Sequence, residues 1–191
     1  MKPVALFLPL ITCACLQAGE QMEKPVPVQV EGVKNCYRLD DELYRSGQPD
    51  DDGFEALEKL GLKSVLNLRE YHSDNDEAED TKLALYRFKM AAGKVTRDEL
   101  MQCLLLMDKA PKPILVHCWH GSDRTGVVCA AYRITVQGWT PETAIAEFLE
   151  DRFGHHKTYY ANLAALLKNM DWNAFRTEFR QLKNKALEPA T

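Results

Sequence analysis

Apolar positions along this chain follow two rhythms. Short apolar-rich runs, "KSVLNL" (63–68), "LALYRFKM" (83–90) and "KPILVH" (112–117), read as strands. Between and after them, apolar residues recur every three to four positions, as on one face of a helix. "KPILVH" is largely apolar, the composition of a strand buried on both faces of a parallel sheet. "NCYRLDDELYRSGQP" (35–49) has the pattern of a strand pair turning at Asp40-Asp41.

Polar residues mark the helix ends. Pro49 and three acids open "DDDGFEALEKL", where the acids favour the positive end of the helix dipole, and Gly61 stops it. Thr96 and Glu99 fit a capping box and predict a helix to about Ala110. A helix from about Asp123 to Gln137 has Gly138 past its end, and Thr140-Pro141 starts another. Helical stretches follow over 157–170 and 172–186. Strands alternating with helices, then a helical tail, predict an α/β fold: a central, mostly parallel sheet of four to five strands flanked by helices, with a C-terminal helical cluster.

The first twenty residues do not fit that pattern. "MKPVALFLPLITCACLQAGE" has Lys2, an apolar run from Pro3 to Leu16, then small and polar residues, which is the form of a signal peptide. The run is too short to cross a bilayer comfortably. Cleavage near Ala18 is expected, or lipid attachment at Cys13 or Cys15 as in a bacterial lipoprotein leader. Either predicts export to the periplasm or beyond, with membrane contact only through that lipid or an uncut leader. Residues 21–34, with Pro25 and Pro27, read as an extended linker, and 35–187 as a single domain.

Composition narrows the partners. The chain has 191 residues, 46% hydrophobic and 27% charged, with a formal net charge of -4. Mild acidity without a basic stripe argues against nucleic acid, whose phosphates need clustered Lys and Arg. Cys36, Cys103, Cys118 and Cys129 follow the leader with no CxxC pair, which argues against a zinc cage. A Cys36–Cys103 bridge is left open, since a domain of this size does not need one.

The chemistry concentrates in "HCWHGSDRTG" (117–126), between the strand "PILV" and the helix "VVCAAY". Open α/β sheets bind ligands at that end of their strands. A helix start offers unpaired N–H groups and a positive dipole end, which together bind anions. Gly121 lets the backbone bend so that several N–H groups converge in a phosphate-sized nest. Arg124 adds a planar fork that holds two oxygens at once. Cys118 sits at the mouth, in surroundings that lower a thiol's pKa to about 3.5–7.5. A thiolate facing a bound phosphate is a nucleophile in line with phosphorus.

The stretch resembles the signature of the cysteine-dependent phosphatases, the protein tyrosine and dual-specificity superfamily. The pattern is met by His117, Cys118, Gly121, Arg124, Thr125 and Gly126. "LYRSGQP" and "GLKSVLNLRE" are similar to the opening region of bacterial and of plant and fungal atypical dual-specificity phosphatases, so the resemblance spans residues 33–170. It implies that Cys118 attacks phosphorus and becomes a cysteinyl phosphate. Arg124 and the loop amides of Trp119, His120, Gly121, Ser122, Asp123 and Arg124 would hold the equatorial oxygens. Thr125 would donate to the thiolate, and His117 would orient the loop from behind. No metal or cofactor is required. The implied substrate is a phosphorylated protein or a small, aryl-type phosphate ester. Phosphoinositides or inositol phosphates are the alternative, although the loop lacks a lysine suited to a highly charged head group and only His120 stands in for it.

One part of the family pattern is missing. The general acid of these enzymes is an aspartate on a loop ahead of the capping helix, and here that place reads "KMAAGKVT". Three candidates remain. Asp123 lies within the loop, as in the "DRT" of myotubularin-like and some bacterial tyrosine phosphatases. Asp98 follows the expected region, where the first turn of a capped helix also explains it. Asp74, Asp76 and Asp80 lie in an acidic loop that would fold over the pocket. The missing aspartate also supports a catalytically silent phosphate-binding module. A sulfur-transfer enzyme would use a loop cysteine too, but seldom the Arg-Thr-Gly ending.

Other residues carry ordinary readings. Cys103 and Cys129 lie among apolar helix residues and read as core. Trp119 lines the rim or packs under the loop. His120 is a cationic wall or a solvated loop residue, and Tyr44 and Arg45 are supports or a strand-end turn. His155 and His156 are adjacent, the wrong spacing for two ligands on one helical face, and read as residues leading into a helix, with lining of the site as the other reading.

Overall fold

A computed structural model describes residues 23–185, so the leader expected over 1–20 lies outside the described residues. The sheet has six strands: β1 (Val26–Pro27), β2 (Tyr37–Arg38), β3 (Leu43–Ser46), β4 (Ser64–Asn67), β5 (Ala84–Arg87) and β6 (Ile114–His117), in the order β1-β2-β3-β6-β4-β5. β3, β6, β4 and β5 run parallel, and β1 and β2 add an antiparallel edge. The sheet is mostly parallel as expected, but it has one strand more than four to five. That strand comes from the stretch read as linker, where Val26 pairs with Arg38 and Pro27 with Tyr37. A two-residue strand has no period to detect, and its prolines suit an edge where no ladder donor is needed.

The parallel strands alternate faces. Val65 and Leu115 face α1 (Asp51–Lys59) and join Phe54 and Leu57 in a smaller core. Leu66, Ile114 and Val116 face the other way. They meet α2 (Arg97–Lys109) and α3 (Asp123–Thr135) in a larger core that takes in α4 (Pro141–Phe148), α5 (Ala161–Asn169) and α6 (Trp172–Lys185). β6 is buried at every position. A fully buried aliphatic or aromatic side chain contributes about 1.5–3 kcal/mol, so the larger face dominates stability.

α3 lies at the centre of that face. All its residues but Arg124 are buried, which is why it lacks a clear polar stripe. A Cβ at Gly126 would lie 2.6 Å from Phe148 Cδ2, so this glycine lets α4 pack close to the start of α3. Arg133 crosses the same contact with two 3.0 Å bonds to Glu147. Cys36, Cys103, Cys118 and Cys129 are free, so the conceivable Cys36–Cys103 bridge is not made.

Candidate active site

β6 lies between β3 and β4, so the loop 118–122 emerges among the turns that leave those strands. Its peptide groups face outward in order. Cys118 O accepts from His117 Nδ1 (3.2 Å) and Trp119 O from Gln48 N (3.0 Å). His120 O accepts from Asn35 Nδ2 (2.9 Å), Gly121 O from Arg45 Nη2 (2.7 Å) and Ser122 O from Gly126 N (3.0 Å). In a planar trans peptide the N–H points opposite to the carbonyl. Tying the oxygens outward therefore turns the hydrogens inward. Among the described residues, no main-chain N–H from Trp119 to Arg124 donates a hydrogen bond. α1, α2 and α4 are closed by the side chains of Asp50, Thr96 and Thr140, whereas α3 has no side-chain cap. The start of α3 is thus left open to an anion.

The turn needs Gly121. Its φ is +74°, and a Cβ there would lie 2.4 Å from the carbonyl carbon of Ser46. Arg45 reaches the loop from a fully buried position, with its guanidinium 4.1 Å from the centre of the Phe153 ring.

His117 is buried behind the loop. Its Nδ1 faces Cys118 O and its Nε2 faces Asp74 Oδ2 at 2.9 Å. Asp74 Oδ1 accepts from Asn67 Nδ2 (2.8 Å) and Gln48 Nε2 (3.0 Å). Burial alone would push this carboxyl up. The bonds from His117 and Gln48, with the His117 and His72 rings nearby, outweigh burial and leave it below its ordinary value. Asp74 is therefore a brace for His117 and not an acid folded over the pocket. A carboxyl held below its ordinary value stabilises the fold above that value, and the contribution fades as pH falls through the depressed one. Asp74→Asn should cost about 3–5 kcal/mol at pH 7, the scale for breaking a buried pair. Its melting temperature should converge on wild type as pH falls through that depressed value. A gap independent of pH would refute the assignment.

Cys118 lies at the base of a cleft of about 320 Å³, 2% exposed. Trp119, His120, Asp123 and Arg124 line the same cleft with Ala92, His156, Tyr159 and Tyr160, while Gly121 and Ser122 take part through their main chain. Arg124 Nη1 donates to Leu68 O (3.5 Å) and Met90 O (3.4 Å), and its buried Nε has no partner. Trp119 is 54% exposed, with the Arg69 guanidinium 4.2 Å from its ring centre, so it forms the rim. The hydroxyl of Thr125 is buried and has no hydrogen-bond partner among the described residues, so the expected bond to the sulfur is not formed. Where an acid was expected, the neighbouring wall is Ala91, Ala92 and Gly93.

Three of the proposed acids lie away from the cleft. Asp98 is exposed and pairs with Arg97 at 3.2 Å, and Asp76 and Asp80 are exposed; none lines the cleft. Asp123 is in the cleft but arranged differently than expected. Oδ1 accepts from His155 Nδ1 (2.7 Å) and His156 N (2.9 Å), and Oδ2 from His156 Nδ1 (2.7 Å). Both oxygens are thus engaged by the two histidines, so Asp123 meets the cleft in company with them. His155 and His156 thus lead toward α5 and also belong to the site, the other reading open for them. Helical spacing could not reveal them, because they sit in a turn after Gly154, whose φ is +72°.

Comparison with known proteins places the chain in a family. The family described as "Tyrosine phosphatase family" matches residues 33–186. The dual specificity protein phosphatase TpbA of Pseudomonas aeruginosa is 32% identical over 146 residues, 73% of this chain and 66% of that protein. Inositol diphosphatase DSP5 of Arabidopsis thaliana is 32% identical over 124 residues, 60% of this chain and 60% of that protein. The chain therefore spans about two thirds or less of these curated relatives. The crystal structure of P. aeruginosa TpbA with phosphotyrosine superposes with a TM-score of 0.74 at 26% identity, covering 82% of this chain and 95% of that one. The catalytic core of the S. cerevisiae PP-IP phosphatase SIW14, solved with citrate, gives 0.66 at 28% identity, covering 85% and 100%. With the sheet, the loop and the match over 33–186 in agreement, this chain belongs to the tyrosine phosphatase family, within the cysteine-dependent tyrosine and dual-specificity superfamily.

Proposed function

We propose that the protein is a phosphomonoesterase that works through a cysteinyl phosphate on Cys118. The observation that carries this reading is the row of outward-tied carbonyls, which leaves free N–H groups around a thiol at the base of a cleft. The sulfur attacks phosphorus as the bond to the leaving oxygen breaks. Arg124 and the loop amides hold the equatorial oxygens through a transition state of spread charge. The leaving oxygen takes a proton from the Asp123–histidine cluster. Water then attacks phosphorus, releasing orthophosphate and restoring the thiolate. The loop and Arg124 supply the neutralising charge themselves, without calling on a metal.

Two features bear on substrate. Trp119 and the exposed Tyr71 and Tyr159 ring the cleft mouth, which suits an aryl phosphate or phosphotyrosine on a protein. Arg69 beside Trp119 favours the second reading, an inositol phosphate, the class named for some relatives. Steady-state hydrolysis of p-nitrophenyl phosphate, a phosphotyrosine peptide and an inositol diphosphate tests both. Turnover of the first two at the higher kcat/KM is expected. No turnover of any, with orthophosphate still bound, would leave a silent binding module. The leader motivates a further proposal, export, which fractionation of cells expressing the full chain would test.

The other thiols provide a contrast. Burial pushes Cys36 and Cys129 up to about 11, and Cys103 higher still. These remain protonated and unreactive at neutral pH. Iodoacetate should therefore label Cys118 first among the four, and orthovanadate should protect it. Peroxide should remove activity and a thiol reductant restore it. Equal labelling at Cys36 or Cys129 would contradict this.

A further inference from the structure

We propose that His156 delivers the proton to the leaving oxygen, with Asp123 acting as its positioning residue. The proposal rests on the phosphatase reading above and fills the one role that reading leaves unassigned.

The geometry eliminates the alternatives in turn. Ala91, Ala92 and Gly93 offer no proton from the neighbouring wall, and Glu70 and Tyr71 of that wall do not line the cleft that holds Cys118. Asp123 accepts at both oxygens. His155 shares Asp123, but its side chain is 1% exposed and packs against Phe148, with ring centres 4.3 Å apart. Its Nε2 is buried without a partner and cannot reach the cleft. His156 differs on each count. Its side chain is 40% exposed, its ring lines the cleft with Cys118 and Arg124, and its Nδ1 is held by Asp123. The same carboxylate also takes its main-chain N–H, so backbone and ring are fixed together. With Nδ1 engaged, the nitrogen left for a substrate is Nε2, on the far edge of the ring. His120 also lines the cleft, 5.2 Å from the His156 ring, but no hydrogen bond fixes its imidazole among the described residues.

The proton balance closes. An Nε2–H on the imidazolium gives its proton to the ester oxygen as the S–P bond forms and the P–O bond breaks. The neutral Nε2 then takes a proton from the water that attacks the cysteinyl phosphate. Imidazolium, free thiolate and orthophosphate result. The groups facing His156 are Asp123 and Arg124 of α3, Cys118 and His120 of the loop, and Tyr159 and Tyr160 beside it. An imidazole ordinarily titrates at about 6.5, close to working pH, whereas a phenol does so at about 10. This favours His156 over the two tyrosines.

His156→Gln tests the assignment. Its kcat should be measured against p-nitrophenyl, phenyl and alkyl phosphates, whose leaving groups need increasing help from an acid. The loss should reach about 10²–10⁴-fold on phenyl and alkyl esters and be much smaller on p-nitrophenyl phosphate. The alkaline limb of the wild-type kcat–pH profile should disappear. Asp123→Asn should keep that limb and show a smaller loss on alkyl esters than His156→Gln, because the ring remains but loses the carboxylate that holds its Nδ1. A His156→Gln enzyme with the wild-type leaving-group dependence and alkaline limb would overturn the proposal. So would Tyr160→Phe reproducing the steepened dependence in its place. A wild-type protein that hydrolyses none of these esters would instead bring down the phosphatase reading, and the inference with it.

Discussion

Cys118→Ser should hydrolyse p-nitrophenyl phosphate roughly 10⁶-fold more slowly than wild type, the scale on which removing a covalent nucleophile acts. A serine hydroxyl needs a neighbouring base to attack, and His156, which lines the same cleft, must enter that step protonated as the acid. The nearest imidazole in sequence, His117, has both nitrogens engaged, one with Cys118 O and one with Asp74. Binding should survive, because the N–H groups and Arg124 are untouched. Titration calorimetry with a phosphotyrosine peptide should give a Kd within a few-fold of that for orthovanadate-free wild type under non-turnover conditions. Residual turnover within a hundredfold of wild type would mean that the sulfur is not the attacking atom.

Arg124→Lys should lower kcat by roughly 10³–10⁵-fold, the range for removing an arginine that stabilises a transferring phosphoryl group. The substitution keeps the positive charge, so the loss reports the fork and not the charge. The site shows why the fork matters. Nη1 is spent on the carbonyls of Leu68 and Met90, which steer the guanidinium, while Nε is left buried and unpaired for an oxygen of the substrate. A lysine has one nitrogen for both tasks. A change of less than tenfold in kcat would show that this geometry is unimportant to the chemical step.

The residues that were legible in sequence owe that to local chemistry. Thr96 and Glu99 close the start of α2 within four residues, and the capping box is present as expected. β6 reads as doubly buried because both faces of the sheet are covered. The thiol, the glycine and the guanidinium of the loop lie within seven consecutive residues, so one turn brings them together. Long-range partners left no such trace. Arg45 meets Gly121 across 76 positions, and Asp74 meets His117 across 43. Acidity made Asp74 look solvent-facing, whereas it pairs inward with a histidine. The same holds for His155 and His156, which reach Asp123 from a turn with no helical period.

The loop is anchored at its back by Asn35, Arg45 and Gln48, all groups of the protein itself. A seat shaped in advance spends little on rearrangement, and on the phosphatase reading proposed above it would fit the terminal PO₃ group shared by every phosphate ester. It cannot tell one alcohol from another. Choice among substrates falls to the mouth, where Tyr71, Tyr159 and the stacked Arg69–Trp119 pair meet whatever the phosphate is attached to. Evolution or an engineer can therefore retune selectivity there while leaving the chemical engine intact.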